Sequence, residues 1–142
     1  MDKGQLLLEN QLCFSLYRLS KLVVSKYRPI LTSLDITYPQ YLVMIVLWEF
    51  KEVSVKELGE RLSLDSGTLT PLIKRLCLKG FIDKKRSSKD ERIVNISLTD
   101  KGQALKEKAL SVPQEAACSS NLEIEKVIQL KETLDQLYKQ LS

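Results

Sequence analysis

Histidine is absent from this sequence of 142 residues. The absence excludes the Ser-His-Asp and Cys-His arrangements that activate a catalytic nucleophile. It also excludes the usual zinc sites in which histidine is one of the ligands. We therefore expect neither a metal ion nor another cofactor.

Cysteine is scarce. The three cysteines, Cys13, Cys77 and Cys118, are widely separated and form no Cys-x-x-Cys pair. Because their number is odd, they do not indicate a disulfide framework. In a cytosolic chain such isolated cysteines stay reduced unless one of them is reactive. We assign Cys77, which falls within a predicted helix, to packing.

Long apolar runs are lacking as well. The most apolar stretch, residues 41–47, is far shorter than the roughly 20 residues that span a bilayer. The first residues, MDKGQLLLENQ, do not resemble a signal peptide, because their apolar stretch is short and interrupted by acidic and amide residues. These absences predict a cytoplasmic protein with no membrane partner.

The composition is typical of a single globular domain. Hydrophobic residues make up 44% of the chain and charged residues 28%. A chain of this length has room for one real core. The net charge is +4, and positive residues cluster within residues 74–92. Such a cluster of positive charge is consistent with binding to nucleic acid, although it is modest in size.

Residues 55–79 predict two helices joined by a short turn. Ser54 and Glu57 have the spacing of a capping box, so the first helix should begin at Ser54. The second should begin at Asp65 or Ser66, because both are good N-caps. A helix pair alone is a weak signal, since it is a common motif.

The second helix has an apolar side and a polar side. Pro71 lies too deep for a first-turn proline if Asp65 is the cap, so the helix either begins nearer Thr68 or is kinked early. Short hydroxyls near a helix start can meet base edges and phosphates, while Lys and Arg neutralise backbone charge. A solvated polar face on an ordinary helix is the alternative interpretation. The apolar residues are Leu69, Leu72, Ile73 and Leu76, and the polar ones are Ser66, Thr68, Thr70, Lys74 and Arg75.

A charged β-hairpin follows this helix pair. Residues 81–83 and 93–98 predict strands, and the segment between them, KKRSSKDER, is too polar to be buried. A hairpin in this position can reach the flanking DNA groove and backbone. We expect Arg92 to enter the groove, Asp90 to orient its guanidinium through two hydrogen bonds, and Arg86 to contact phosphate.

The two ends of the chain predict long apolar helices. Residues 5–31 form one predicted helix, and Val127, Leu130, Leu134, Leu137 and Leu141 repeat at helical spacing near the end. Between them, Thr37 and Gln40 cap one helix and Thr99 caps another, which Pro113 should interrupt. The core of a monomer could absorb some of this apolar surface. We expect an intertwined dimer, because one small subunit has little material to cover it.

The whole pattern resembles a winged helix-turn-helix of the MarR family, whose wing motif Asp-x-Arg matches Asp90-Glu91-Arg92. The segments QLCFSLY, ITYPQYLVM and LDSGTLTPLIKRL are similar to the OhrR branch, the organic-hydroperoxide-sensing repressors. The resemblance implies a mainly α fold with a small β-hairpin wing. We expect residues 36–98 to form the DNA-binding region and residues 1–35 and 99–142 to supply the dimerisation helices.

By composition alone, Cys13 is a small hydrophobe between Leu12 and Phe14. The resemblance implies a different role, in which Cys13 is the peroxidatic residue and Tyr17, Tyr27 and Tyr38 surround its sulfur. Family members with two such cysteines place a resolving cysteine of the other subunit where Cys118 lies. The alternatives are that Cys118 is a bystander and that a small external thiol caps Cys13.

We therefore expect a homodimeric transcriptional regulator, and specifically a repressor, that binds a pseudo-palindromic operator in double-stranded DNA. Organic hydroperoxide is the expected signal, and oxidation of Cys13 followed by an intersubunit disulfide with Cys118 should release the DNA. The alternatives are a MarR-type repressor that responds to a phenolic ligand, a thiol peroxidase, and a plain dimerisation module. We discount the enzyme because the basic hairpin has no role in peroxidase chemistry.

Overall fold

A computed structural model describes residues 3–142. Two short 3-10 turns, Lys3–Leu6 and Leu8–Asn10, precede the first α-helix. The elements that follow are α1 (Leu12–Thr32), α2 (Tyr38–Phe50), β1 (Glu52–Ser54), α3 (Val55–Leu62), α4 (Ser66–Leu78), β2 (Ile82–Arg86), β3 (Val94–Leu98), α5 (Asp100–Ala109), α6 (Val112–Ser120) and α7 (Ile124–Leu141). The predicted mainly α fold with a small wing is confirmed.

The β-hairpin belongs to a three-stranded antiparallel sheet with the order β1-β3-β2. Ile96 in β3 lies opposite Val53 on one side and Lys84 on the other. The sequence analysis did not predict β1, because three residues are too few to show an alternating pattern. This strand ties the start of α3 to the base of the wing.

The hydrophobic core lies beneath α3 and α4. Helix α2 supplies its centre through Val43, Met44 and Leu47, which are fully buried. Leu58 from α3 and Leu76 from α4 pack onto the same core cluster. The four residues of α4 that were predicted to face the core are all buried, so α4 has a defined inner face and a defined outer face.

Helix α2 begins with a complete capping box. The backbone N–H of Thr37 donates to Oε1 of Gln40 at 3.0 Å, and the backbone N–H of Gln40 donates to Oγ1 of Thr37 at 3.5 Å. Pro39 lies in the first turn, where its missing N–H costs nothing. The predicted capping box of α3 is only half formed, because Glu57 pairs with Arg61 at 2.8 Å instead of reaching back to Ser54.

The prediction of one continuous helix over residues 5–31 is wrong at its beginning. The backbone of Gln11 is extended and α1 starts only at Leu12. The side-chain amide of Gln11 donates to the carbonyl oxygen of Gln5 at 2.6 Å, and that of Asn10 donates to the carbonyl oxygen of Gly4 at 2.7 Å. These side-chain donors take backbone acceptors that a longer helix would need, so the chain forms 3-10 turns.

The predicted start of α4 is confirmed, because the helix begins at Ser66 with Asp65 as its N-cap. It continues through Pro71, so the alternative of a start nearer Thr68 is wrong. One boundary in the wing differs from the prediction. Strand β2 runs to Arg86, which places the three basic residues Lys84, Lys85 and Arg86 in the strand and not in the loop. The connecting turn is therefore shorter than predicted and consists of residues 87–93.

The helices at the two ends leave apolar side chains exposed in a single chain. Helix α7 has no buried residue, and α1 has only Leu31. Helix α6 packs along α1, and Pro113 lies in the first turn of α6, after the break that was predicted there. Within residues 3–142, no helix is both long and apolar enough to cross a membrane.

Candidate nucleic-acid interface and thiol site

The start of α4 is built by its N-cap. Oδ1 of Asp65 accepts the backbone N–H of Thr68 at 2.7 Å. This bond and a second one from the Thr68 side chain lower the pKa of the Asp65 carboxyl below its ordinary value. A charged cap of this kind fixes the first turn of the helix, where Ser66 and Thr68 are exposed.

The exposed hydroxyls of α4 are not equivalent. Oγ1 of Thr70 donates to the carbonyl oxygen of Ser66 at 2.7 Å, inside the helix. Its hydroxyl hydrogen is therefore used, and Thr70 can meet a base edge or a phosphate only as an acceptor or through its methyl group. Ser66, one turn earlier, keeps its side-chain donor for an outside partner.

The basic residues of α4 extend the same outer surface. Lys74 and Arg75 are exposed, and neither forms an ion pair within the described part of the chain. Their charges are therefore available to an anion such as a DNA phosphate. Together with Ser66, Thr68 and Thr70 they make the outer side of α4 both polar and cationic.

The wing places one arginine at its tip. Nε of Arg92 donates to Oδ1 of Asp90 at 3.3 Å, and the backbone N–H of Arg92 donates to the same oxygen at 3.0 Å. The guanidinium thus donates one hydrogen bond to Asp90 and not the two that were predicted. The Arg92 side chain is 92% exposed, so the contact orients this side chain without covering it.

Arg86 lies at the end of β2, and its side chain forms a hydrogen bond within the wing. Its Nη1 atom donates to the carbonyl oxygen of Glu91 at 3.0 Å, across the turn. Arg86 therefore has a partner within the wing besides its predicted phosphate, and the neighbouring Ser87 was not among the predicted site residues. A serine that begins a short polar turn is a signal for side-chain to backbone hydrogen bonds.

Cys13 lies in the first turn of α1 and is exposed. Tyr27 is 14 residues further along the same helix, which corresponds to roughly 21 Å at 1.5 Å per residue. A single chain therefore does not bring these two residues together. Tyr17, one turn after Cys13, is exposed, and the ammonium group of Lys21 lies 5.1 Å from the centre of its ring.

The other predicted sulfur-pocket residues form an aromatic cluster. The ring centroids of Tyr27 and Tyr38 are 5.0 Å apart with an edge-on geometry, and each lies 6.2 Å from that of Tyr41. Burial, reinforced by Tyr27, raises the pKa of Tyr38 above its ordinary value. Tyr38 therefore remains a neutral phenol that can donate a hydrogen bond at neutral pH.

The remaining cysteines have different surroundings. Cys118 is exposed on α6, in the helix that packs along α1. Cys77 is half-buried against the core, and burial followed by the charge of Asp83 raises the pKa of its thiol. A raised pKa keeps Cys77 protonated and unreactive, which agrees with its assignment to packing. Among the described residues, no group of three or more His, Cys, Asp or Glu side chains could hold a metal ion.

The arrangement of α3, α4, β2 and β3 defines a winged helix-turn-helix regulator. Residues 25–109 match the SarA/Rot family of transcriptional regulators. The organic hydroperoxide resistance transcriptional regulator of Bacillus subtilis is 51% identical over 127 residues, which cover 89% of this chain and 86% of that protein. The chain therefore belongs to the SarA/Rot and MarR-type winged helix-turn-helix transcriptional regulators, in the OhrR-like branch.

Two solved structures are similar over nearly the whole chain. Reduced AbfR bound to DNA has a TM-score of 0.79 and 39% identity, with 99% of both chains covered. The disulfide form of AbfR has a TM-score of 0.65 at 39% identity, with 96% of both chains covered. AbfR is a protein of Staphylococcus epidermidis. The conformation of this chain is thus nearer to the reduced form of that relative than to its disulfide form.

Proposed function

We propose that this chain is a homodimeric, redox-responsive repressor that binds DNA through α4 and the wing. The observation that carries the proposal is the exposure of Lys74 and Arg75 on the outer side of α4, together with that of Arg92 at the wing tip. This surface matches the helix and hairpin that winged helix-turn-helix proteins apply to the major groove and its flanks. We place this DNA-binding function in the cytoplasm.

The expected contacts follow from the position of each side chain. Ser66, Thr68 and Thr70 lie at the start of α4, where side chains can reach base edges and phosphates. Lys74 and Arg75 supply positive charge along the phosphate backbone, and Arg92 enters the neighbouring groove. Arg86 donates to the carbonyl oxygen of Glu91 within the wing. In a two-fold dimer the half-site centres are separated by about one helical turn, roughly 34–36 Å.

The dimer is supported by the apolar side chains that α1 and α7 leave exposed. Apolar side chains recur along α7 and along the outer side of α1, and they remain exposed in one chain. We propose that a second copy covers them, with residues 1–35 and 99–142 as the dimerisation segments. Exposed apolar area on this scale is unusual for a soluble monomer and marks an interface.

The dimer also supplies a way to build the sulfur pocket. Cys13 and Tyr27 are roughly 21 Å apart along one helix, so they cannot meet within a chain. Antiparallel α1 helices from two copies would place Cys13 of one copy beside Tyr27 and Tyr38 of the other. The neutral phenols would then donate hydrogen bonds to the thiolate and favour its charged form.

The proposed chemistry is a two-electron oxidation. The Cys13 thiolate attacks the terminal oxygen of an organic hydroperoxide, the O–O bond breaks, and an alcohol leaves. The Cys13 sulfenic acid then reacts with the Cys118 thiol of the other subunit, which forms an S–S bond and releases water. The bridge requires Cα atoms within about 7 Å. If the two residues start farther apart in the reduced dimer, α1 must move relative to α6 of the other subunit, and this movement would displace the DNA-binding surfaces.

The forms in which AbfR has been solved support a disulfide as the releasing event. That relative has been solved bound to DNA in its reduced form and in its overoxidized form, and separately in a disulfide form. For this chain, we propose that oxidation of Cys13 alone leaves DNA binding largely intact and that the link to Cys118 abolishes it.

The test begins by selecting duplexes from a randomised pool with the reduced protein. Wild type and Cys118→Ser are then titrated with about one equivalent of cumene hydroperoxide and followed by a non-reducing gel and a DNA-binding assay. We expect a reducible dimer band that needs Cys118 and appears as affinity for the selected duplex falls. DNA release without the band would mean that Cys13 acts alone or with an external thiol, which would contradict the disulfide as the releasing event. Failure to enrich any sequence would contradict the DNA-binding proposal.

A small cavity favours one alternative function, that of a repressor that responds to a small aromatic ligand. A space of about 320 Å³ lies between the α1–α2 turn and α5, and its lining includes Phe81, Lys101 and Lys108. Aromatic and cationic walls suit a small aromatic acid. Under this alternative Cys13 is inert, hydroperoxide has no effect on DNA binding, and an aromatic acid such as salicylate releases the duplex. The same assay therefore separates the two functions.

A further inference from the structure

The turn at the wing tip, residues 87–93, is held by its own hydrogen bonds. The backbone N–H of Ser87 donates to the carbonyl oxygen of Ile93 at 2.7 Å, and the N–H of Ile93 donates to the carbonyl oxygen of Asp90 at 3.0 Å. Oγ of Ser87 accepts the backbone N–H groups of Lys89 at 3.2 Å and Asp90 at 3.4 Å. The turn is therefore an ordered, hydrogen-bonded structure and not an irregular loop.

Ser87 also positions Asp90. The backbone N–H of Asp90 is bound to Oγ of Ser87, and the Asp90 carboxylate accepts both the backbone N–H and Nε of Arg92. Asp90 is only 39% exposed, whereas the Arg92 side chain is 92% exposed. A chain of hydrogen bonds thus runs from Ser87 through Asp90 to the exposed guanidinium.

Arg86 fixes the same arginine from the other side. Its guanidinium donates to the carbonyl oxygen of Glu91, which belongs to the peptide group between Glu91 and Arg92. The N–H of that same peptide group donates to Asp90. The peptide plane that carries Arg92 is therefore held at both ends, by Arg86 on its oxygen and by Asp90 on its nitrogen.

We propose that Ser87 and Arg86 are positioning residues that preorganise Arg92 for the DNA groove. The inference rests on the proposed DNA-binding function and adds a role for Ser87, a neutral residue that acts through the turn. An exposed arginine loses side-chain freedom when it binds, and a turn that already orients its backbone reduces that cost. Ser87 acts on affinity through the geometry of Arg92.

The direct alternative for Arg86 is a phosphate contact. Removal of a phosphate-binding charge lowers the slope of log affinity against log salt concentration by about one. Removal of a neutral hydroxyl that only shapes the turn leaves this slope unchanged. Ser87 is therefore the cleaner probe, and the neighbouring Ser88, which is exposed and forms no hydrogen bond within the described chain, is a matched control.

The experiment measures affinity for the selected duplex at several salt concentrations, with reduced protein. The variants are Ser87→Ala, Ser87→Thr, Ser88→Ala, Arg86→Ala and Arg92→Ala, together with the Ser87→Ala/Arg92→Ala and Arg86→Ala/Arg92→Ala double variants. Circular dichroism and dimer mass confirm that each variant folds.

We expect Ser87→Ala to bind about three- to tenfold more weakly, as for loss of one or two hydrogen bonds, with the wild-type salt slope. Ser87→Thr keeps the hydroxyl and should restore binding, while Ser88→Ala should match wild type. In the Arg92→Ala background, the further loss from Ser87→Ala or from Arg86→Ala should disappear, because neither residue then has an arginine to position.

Wild-type affinity in Ser87→Ala, or a loss that multiplies fully with that of Arg92→Ala, would overturn the role of Ser87. A salt slope lowered by about one in Arg86→Ala, with a loss that multiplies with that of Arg92→Ala, would overturn the role of Arg86. These results leave the DNA-binding function standing, since wild type still binds. If wild type itself binds no selected duplex, both the function and the inference fail.

Discussion

The indole Nε1 of Trp48 donates a hydrogen bond to the carbonyl oxygen of Gly102 at 2.9 Å. This contact joins the end of α2 to the first turn of α5, between residues 54 positions apart in the chain. Trp48 also lies edge-on to Tyr41, whose ring packs against the Tyr27–Tyr38 pair. The proposed sulfur-pocket tyrosines and the first turn of α5 are therefore linked by packed aromatic side chains.

The first prediction concerns this bond. Trp48→Phe keeps an aromatic ring but removes the donor, which leaves the Gly102 oxygen without this partner. We expect a loss of roughly 1–2 kcal/mol in the free energy of unfolding. The measurement is urea denaturation at one fixed protein concentration, because dimer stability depends on concentration. Glu49→Gln, at an exposed neighbouring position, is the control and should behave as wild type.

Gly102 itself lies too close to its neighbours to accept a side chain. A Cβ atom at this position would be 2.1 Å from the carbonyl oxygen of Phe81 and 2.9 Å from Cδ1 of Leu98. Because a backbone atom cannot move aside cheaply, Gly102→Ala should destabilise by about 3 kcal/mol or more, or prevent folding.

Gly67→Ala is the matched control for that substitution. Its Cβ would meet only a side-chain oxygen of Asp65, at 3.3 Å, and α4 would gain helix propensity. We expect its stability to stay within about 1 kcal/mol of wild type. Thermal denaturation of both variants checks the pair, and equal behaviour of the two would contradict the close approach at Gly102.

The N-cap of α4 predicts that the contribution of Asp65 to stability depends on pH. The pKa of Asp65 is lowered in the folded chain by donors from Thr68, so its stabilising effect is present above the ordinary carboxyl pKa. The effect is lost as pH falls through the acidic range toward the folded pKa. Asp65→Ala should therefore lower the Tm at neutral pH, and its difference from wild type should shrink with acidification. Asp65→Ser, which keeps a capping oxygen, should retain most of the stability at neutral pH.

Lys51 occupies a backbone conformation that favours glycine. It has a φ of 62° and ends α2, and its N–H donates to the carbonyl oxygen of Leu47 at 2.8 Å. Lys51→Gly should raise the free energy of unfolding by about 1 kcal/mol, because glycine adopts positive φ without strain. Lys56→Gly, within α3, should lower it by about the same amount. Urea denaturation should show opposite signs for these two lysine-to-glycine changes.

The charge on α4 predicts a salt effect. Lys74→Ala should weaken binding to selected and unselected duplexes alike and should reduce the salt slope by about one. Lys139, exposed near the end of α7, offers a matched control whose alanine variant should keep the wild-type slope. Equal slopes in the two variants would remove Lys74 from the interface.

Much of the winged helix-turn-helix was predictable because its signals are local. The caps at Thr37, Ser54, Asp65 and Thr99 each depend on residues three positions apart, and all four cap the helices predicted for them. The break at Pro113 is equally local, since proline has no N–H to donate. Such features need no knowledge of distant contacts.

The predictions from sequence were wrong where distant or competing contacts determine the local structure. The start of α1 moved to Leu12 because Asn10 and Gln11 bind backbone carbonyls through their side chains. The strand around Val53 exists only because β3 pairs with it. Helix α4 continues through Pro71 although proline has a low helix propensity, because the helix buries four apolar side chains, those of Leu69, Leu72, Ile73 and Leu76.

The sequence by itself determined the class of fold, the positions of the helix caps and the presence of a cationic helix and wing, because each depends on neighbouring residues. Only the tertiary structure decided how Arg86, Ser87 and Asp90 hold Arg92, since hydrogen-bond partners are chosen by the path of the folded turn. It also brought the ring centroids of Tyr27 and Tyr38 to 5.0 Å, because α2 packs against α1.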